Sequence, residues 1–357
     1  MNKRRLRKAF KRLAKLPVGM YFFLYAINKF RHFYYKVVRS TKVAYPSTIM
    51  LELTNHCNLA CTTCPREYDY GKLMDKGVMD VDAAKNVIDK LWPYLDSVGL
   101  TGMGETFMAK DIEKIVDYIK SKNRGIIISI STNAMLPNFI ELAKRVVGKI
   151  DTIQISIDGV GEVYEKIRKK ASYETLYNNL VELSKITKGT DTDLMLNMVV
   201  TKENYFHMHK IFSLAAEIGI KYVDFTLFNL ASVTNVEKSY YDFYKSDEFL
   251  NELKTLEEVA EKTNSVTVSN NNFETDNGFR KCPFPWTHFY ICWNGFVAPC
   301  CAKPFPKELN FGNVFTEDVM DVLNSSSYRN FRKMWYKNTA PEFCNKCHFI
   351  DIEPIKK

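Results

Sequence analysis

The sequence predicts an α/β protein: a partial (β/α)6 TIM-like barrel, a small C-terminal domain holding a β-hairpin and a cysteine cluster, and an N-terminal basic amphipathic helix. Three observations carry this. From residue 48 onward, short β-branched runs alternate with longer helical patterns, the signature of parallel strands joined by right-handed crossovers. The alternation runs for six units where a closed barrel needs eight, so the barrel is open. Nine cysteines fall in two groups, 57 to 64 and 282 to 347, with none between.

In chain order, residues 1–47 form a basic, aromatic-rich arm and linker. Residues 1–51 carry thirteen Lys or Arg and no Asp or Glu, so the net charge of +9 for the whole chain leaves the remainder at −4. The basic character belongs to the arm, and a body that binds nucleic acid specifically is not expected. Leu6, Phe10 and Leu13 recur at helical spacing among the basic residues, and aromatics from Tyr21 to Tyr35 follow. This pattern suits a helix on an anionic membrane surface; an anionic macromolecule, or packing of the arm on the body, are the alternatives. The apolar run Val18 to Ile27 is too short to span a membrane or to make a secretion signal, so the protein is expected in the cytoplasm. Residues 40–47, "STKVAYPS", are expected to be a linker.

The barrel is expected over 48–237. Its strands are "TIMLEL" (48–53), "SVGLT" (97–101), "IIISIS" (126–131), "TIQISI" (152–157), "LMLNMVV" (194–200) and "YVDFTL" (222–227), with helices near 82–95, 110–123, 138–147, 173–187 and 204–218. In such architectures chemistry gathers at the carboxyl ends of the strands. A long charged helix (240–262) and a turn-rich boundary make a connection over 238–272, and the second cysteine region fills 273–357. A chain of 357 residues, 46% hydrophobic and 25% charged, is neither fibrous nor wholly disordered.

The loop after the first strand reads "HCNLACTTCP", a C-x3-C-x2-C spacing of Cys57, Cys61 and Cys64. A structural zinc site wants four ligands. Three thiolates can instead hold three irons of a 4Fe-4S cluster and leave the fourth iron open. With this loop the chain resembles the radical S-adenosylmethionine (radical SAM) enzymes, whose open iron chelates the cofactor's methionine part.

Further segments support the resemblance, each after a successive strand. Gly102-Met103-Gly104-Glu105 is similar to the family's glycine-rich cofactor motif, with Thr106 in place of its usual proline. Ser131-Thr132-Asn133 resembles the segment that meets the ribose, and Ser156-Ile157-Asp158-Gly159 another recurrent segment; the residue-level alternative for the latter is an Asx-type helix cap. Arg168 stands where relatives place an arginine against the cofactor carboxylate; a solvated helix arginine is the alternative. Thr63 stands where an adenine-packing aromatic is common. The resemblance implies reductive cleavage of S-adenosylmethionine to a 5′-deoxyadenosyl radical that abstracts a substrate hydrogen atom, with an electron from a protein such as flavodoxin or ferredoxin.

The second region, "KCPFPWTHFYICWNGFVAPCCAKPF" and "EFCNKCHF", resembles the SPASM or shortened twitch domains that carry auxiliary clusters. Cys282, Cys300, Cys344 and Cys347 are the expected ligands of a second 4Fe-4S cluster, with Cys301 able to replace Cys300; a four-cysteine zinc site is the alternative. Asn294-Gly295 signals a hairpin. Cys292 and Cys301 are then spare: either could donate a hydrogen atom, and buried structural cysteine is the leading reading for both. The leading expectation is an oxidoreductase using the auxiliary cluster as electron acceptor on a small, lipid-linked or sugar-like substrate; a peptide maturase or epimerase is the alternative, and a non-catalytic iron-sulfur scaffold at a membrane a third.

Overall fold

The computed structural model describes residues 19–263, 266–271, 282–337 and 339–348. The expected helix around Leu6, Phe10 and Leu13 lies outside these residues, as does most of the turn-rich boundary after 271. The strands are β1 (Thr48–Leu51), β2 (Ala60–Cys61), β3 (Ser97–Leu100), β4 (Ile127–Thr132), β5 (Thr152–Ser156), β6 (Arg168–Lys169), β7 (Asp193–Val200), β8 (Tyr222–Leu227), β9 (Thr267–Asn271), β10 (His288–Ile291) and β11 (Val297–Ala298). All six expected strands are present, and the chain divides into two compact units.

The first unit comprises residues 1–56, 73–129 and 281–344. Its strand order is β11-β10-β1-β3 and then the start of β4. β1 is parallel to both β3 and β10, and β10 is antiparallel to β11. Alternation in β1 buries Ile49 and Leu51, and β3 buries Val98 and Leu100. The helix Val81–Leu91 is capped by Asp80, whose carboxylate accepts from Asp82 N and Ala83 N, and it turns Ala84, Val87, Ile88 and Leu91 inward.

The hairpin signal at Asn294-Gly295 is met by a wider turn than a two-residue one. Cys292 N donates to Phe296 O and Gly295 N to Cys292 O, while Gly295 takes φ +86° and Asn294 stays at negative φ. Here a left-handed glycine closes a three-residue connection. A Cβ on Gly295 would meet Asn313 Oδ1 at 2.4 Å.

Residues 40–44, within the expected linker, are held by the C-terminal segment. Val43 N donates to Asn324 Oδ1 and Asn324 Nδ2 returns a bond to Val43 O. Buried Arg332 gives its guanidinium to Pro285 O, Thr41 O and Leu323 O, and lies over the Tyr328 ring at 3.9 Å. Three carbonyls and a π face replace the water this cation lost.

The second unit comprises residues 57–72, 130–280 and 345–357. The end of β4 is followed by β5-β7-β8-β9, with β5, β7, β8 and β9 parallel, and β2 pairs antiparallel with β6 as a separate two-stranded sheet. Ile153, Ile155, Leu196, Met198, Val223 and Phe225 fill its core. The expected helix over 240–262 is two elements, a 3-10 stretch Lys238–Lys245 and the α-helix Asp247–Lys262. Ser246 breaks it, because in extended conformation its hydroxyl caps Phe249 N. Tyr241 and Tyr244 are buried and their hydroxyls donate to Lys346 O and Val200 O.

Candidate functional site

In the second unit the structure gathers the cysteine loop with Asn133, Asp158 and Arg168. β2 carries Cys61 directly opposite Arg168 on β6, and Thr62 N donates to Ile167 O. The loop is then tightened locally: Cys64 N donates to Cys61 O, and the Tyr68 hydroxyl donates to Thr62 O. Asn133 Nδ2 donates to Asn58 Oδ1 at 2.9 Å and reaches Cys57 Sγ at 3.7 Å; Arg168 Nη1 reaches Cys61 Sγ at 3.8 Å. Cys64 accepts from the Arg66 backbone N–H, so all three sulfurs face a hydrogen-bond donor.

Burial pushes the Cys61 thiol up to about 12, with the Arg168 guanidinium opposing, and raises Cys64 as well. Metal coordination is the chemistry that displaces such protons. Beside these thiols, Arg168 Nε and the Tyr164 hydroxyl are buried with no acceptor among the described residues. A sulfide-rich cluster with a carboxylate-bearing cofactor fits both the thiol set and these unanswered donors. Among the described residues no group of three or more His, Cys, Asp or Glu side chains is close enough to hold a single metal ion; in a 4Fe-4S cluster each thiolate binds a different iron.

Arg168 is no solvated helix arginine. Its Nη2 pairs with Asp158 Oδ2 at 2.9 Å, and Asp158 is 0% exposed with Oδ1 accepting from Val199 N. Asp158 therefore locks β6, and through β6 the cysteine loop, onto β7. Ser156 ends β5 in register with Asn197, and Ser131 lies within β4.

In the first unit Gly102 and Gly104 are pressed against the start of the cysteine-bearing segment. Glu105 N donates to His56 O, and a Cβ on Gly104 would sit 2.4 Å from His56 O and 2.5 Å from Thr54 O. Backbone cannot yield there, so Gly104→Ala is expected to cost at least about tenfold in S-adenosylmethionine affinity, on the scale of a kcal/mol or more for a displaced backbone; an unchanged dissociation constant by equilibrium dialysis would count against this loop as a cofactor contact. Glu105 turns its carboxylate back onto Phe107 N.

One residue was not singled out from the sequence. Glu52, the residue just after β1, is buried, and its carboxylate accepts from Met103 N, the Tyr290 hydroxyl and Trp293 N. It joins the glycine loop to the hairpin. The signal was an acid inside the apolar run "TIMLEL".

Of the second cysteine group, Cys282 and Cys300 both act on buried Tyr328, and Cys300 accepts from the backbone N–H groups of Lys303 and Ala302. Cys344 ends a 3-10 turn in the first unit, and Cys347 in the second faces Asn229 Nδ2 at 3.6 Å. Cys292 is different. It is 2% exposed, packs with Tyr290 and Ala298, and gives its S–H to Pro304 O; burial, then Glu52, push its thiol well up. That is a packing thiol, and Cys301 lies partly buried against the same group.

The family model of the radical SAM superfamily matches residues 51–215, and that of SPASM, an iron-sulfur cluster-binding domain, residues 282–348. The chain belongs to the radical SAM superfamily. Its cofactors are accordingly S-adenosylmethionine and a 4Fe-4S cluster in the radical SAM domain, with auxiliary iron-sulfur binding in the SPASM domain.

Among relatives, the chain is 23% identical over 319 residues to the antilisterial bacteriocin subtilosin biosynthesis protein AlbA of Bacillus subtilis, covering 86% of this chain and 65% of AlbA. It is 30% identical over 175 residues to the mycofactocin maturase MftC of Mycolicibacterium smegmatis, covering 49% of this chain and 43% of MftC. The chain thus spans less than two thirds of the length of either relative. Its fold is similar to that of Streptococcus suis SuiB bound to the precursor peptide SuiA, with a TM-score of 0.65 and 17% identity, over 89% of this chain and 73% of SuiB.

Proposed function

We propose that this radical SAM protein is a peptide maturase that removes hydrogen from an unactivated position of a precursor peptide. The observation that carries the reading is the likeness, over 86% of this chain and 65% of the relative, to AlbA, a bacteriocin biosynthesis protein; the fold of peptide-bound SuiB is in keeping with it. The expectation of an oxidoreductase for a sugar-like or lipid-like substrate draws less support, although relatives named for cofactor modification and heme synthesis keep small-molecule chemistry as the second reading.

In this proposal Cys57, Cys61 and Cys64 hold the first cluster, and Gly102, Gly104, Glu105, Ser131, Asn133, Ser156, Asp158 and Arg168 form or brace the S-adenosylmethionine pocket. Cys282, Cys300, Cys344 and Cys347 hold one auxiliary cluster. The bound cofactors supply hydrogen-abstracting radical chemistry. The protein's part is positional: Asn133 and Arg168 aim donors at the sulfurs, and Asp158 keeps Arg168 charged and fixed. A flavodoxin- or ferredoxin-like reductant would supply the electron.

The test is anaerobic reconstitution, then incubation with S-adenosylmethionine, dithionite and a library of synthetic peptides. Formation of 5′-deoxyadenosine together with a peptide lighter by two hydrogens is the expected result. Turnover on sugars or lipids but on no peptide would overturn the maturase reading, and intact clusters with no 5′-deoxyadenosine under any condition would indicate a scaffold.

A further inference from the structure

The helix Met20–Val37 is inside out. Four of its polar residues face the protein: the Tyr25 hydroxyl donates to Asp96 Oδ1, Lys29 Nζ pairs with Asp96 Oδ2, His32 Nε2 bonds Tyr45 O, and Asn28 is buried. At 2% exposure, Asn28 exchanges two hydrogen bonds with the Tyr45 backbone at 2.9 and 3.0 Å. Tyr21 lies on the Trp92 ring, 4.4 Å between centroids. Positions 21, 25, 28, 29 and 32 share one face, as helical spacing requires.

The opposite face is apolar and open. Met20, Phe23, Ile27, Phe30, Tyr34 and Val37 recur at intervals of three and four, and each is between 51 and 70% exposed. Surface helices ordinarily turn such a stripe inward. A continuous row of large apolar side chains on the outward face marks an interaction surface.

Charge selects the occupant. Residues 1–51 carry thirteen Lys or Arg and no acid, so a second copy would bring like charge against like. An anionic lipid surface matches both features at once: apolar side chains enter the boundary between headgroups and acyl chains while Lys and Arg meet the negative potential above it. No described helix is long and apolar enough to cross a membrane, so the geometry is that of a helix lying in the interface. We propose that the outward stripe of Met20–Val37 docks this radical SAM enzyme on an anionic membrane surface. The inference stands independently of the peptide reading.

The test is co-sedimentation of the full reconstituted chain with vesicles of phosphatidylglycerol and phosphatidylcholine, set against phosphatidylcholine alone. The triple variant Phe23→Ser, Ile27→Ser, Phe30→Ser alters only the outward stripe. It should keep its iron content and circular dichroism, because Tyr25, Asn28, Lys29 and His32 still hold the helix. Expected is binding to the anionic vesicles that weakens with salt and falls roughly tenfold or more in the variant. Equal binding to both vesicle types, equal binding by variant and wild type, or no vesicle binding would each overturn the proposal. A wild-type dimer in light scattering that the variant abolishes, without vesicle binding, would assign the stripe to a second copy instead.

Discussion

Alanine at Cys57, Cys61 and Cys64 together should remove about four of about eight irons per chain and end 5′-deoxyadenosine formation. The reasoning is electrostatic. Burial holds Cys61 protonated up to about pH 12 and raises Cys64, so in the absence of metal these groups are poor nucleophiles and poor bases. Coordination to iron would require loss of their protons, and the donors already aimed at Cys57 and Cys61 would stabilise the thiolates. Cys292→Ala is the control. Its sulfur is committed to Pro304 O within the hairpin core, so that variant should keep its full iron. Metal analysis after anaerobic reconstitution decides the matter: retention of iron in the triple variant, or equal loss in Cys292→Ala, would place the cluster elsewhere.

Asp158→Ala is expected to destabilise the fold by about 3–5 kcal/mol, the range for a buried cation stripped of its partner. Arg168 is nearly buried, which by itself lowers its pKa, but the Asp158 carboxylate together with Cys61, Tyr164 and Cys64 more than offsets that cost and lifts the guanidinium above its ordinary pKa. The substitution also takes away the acceptor for Val199 N. Asp158→Leu combined with Arg168→Met should recover much of the stability, since an apolar pair has no stranded charge, yet should still incorporate less iron because no donor faces Cys61. Urea midpoints measured anaerobically, with iron counted on the same samples, separate the two effects. A loss below about 1 kcal/mol in Asp158→Ala would show that the pair is not what holds β6 in place.

Much of this was legible locally. Each of the six strands announces itself by β-branched runs, and the cysteine spacing names its chemistry because the three thiols lie on one short loop. Helix interruption was less legible. The periodicity of 240–262 runs through Ser246, and only the buried tyrosines on one side and the capped helix on the other show that the chain turns there. The hairpin was signalled by Asn294-Gly295, but its turn type depended on Asn313 and Phe315 crowding the glycine.

What the sequence by itself determined is the radical SAM and SPASM character, the two cysteine groups and the alternation of strands and helices. These are contiguous patterns, each written within a few residues. Tertiary structure decided the rest. β10 comes to lie parallel to β1 across more than 230 residues of chain, Glu52 meets Met103, Tyr290 and Trp293 from three separate segments, and Asp158 meets Arg168 across a helix. It also decided which face of Met20–Val37 is outward, because an amphipathic helix carries two faces and only Asp96 and Tyr45, far along the chain, select the polar one for the protein. Pairings of that kind depend on where distant segments meet after the strands associate, and no local pattern encodes them.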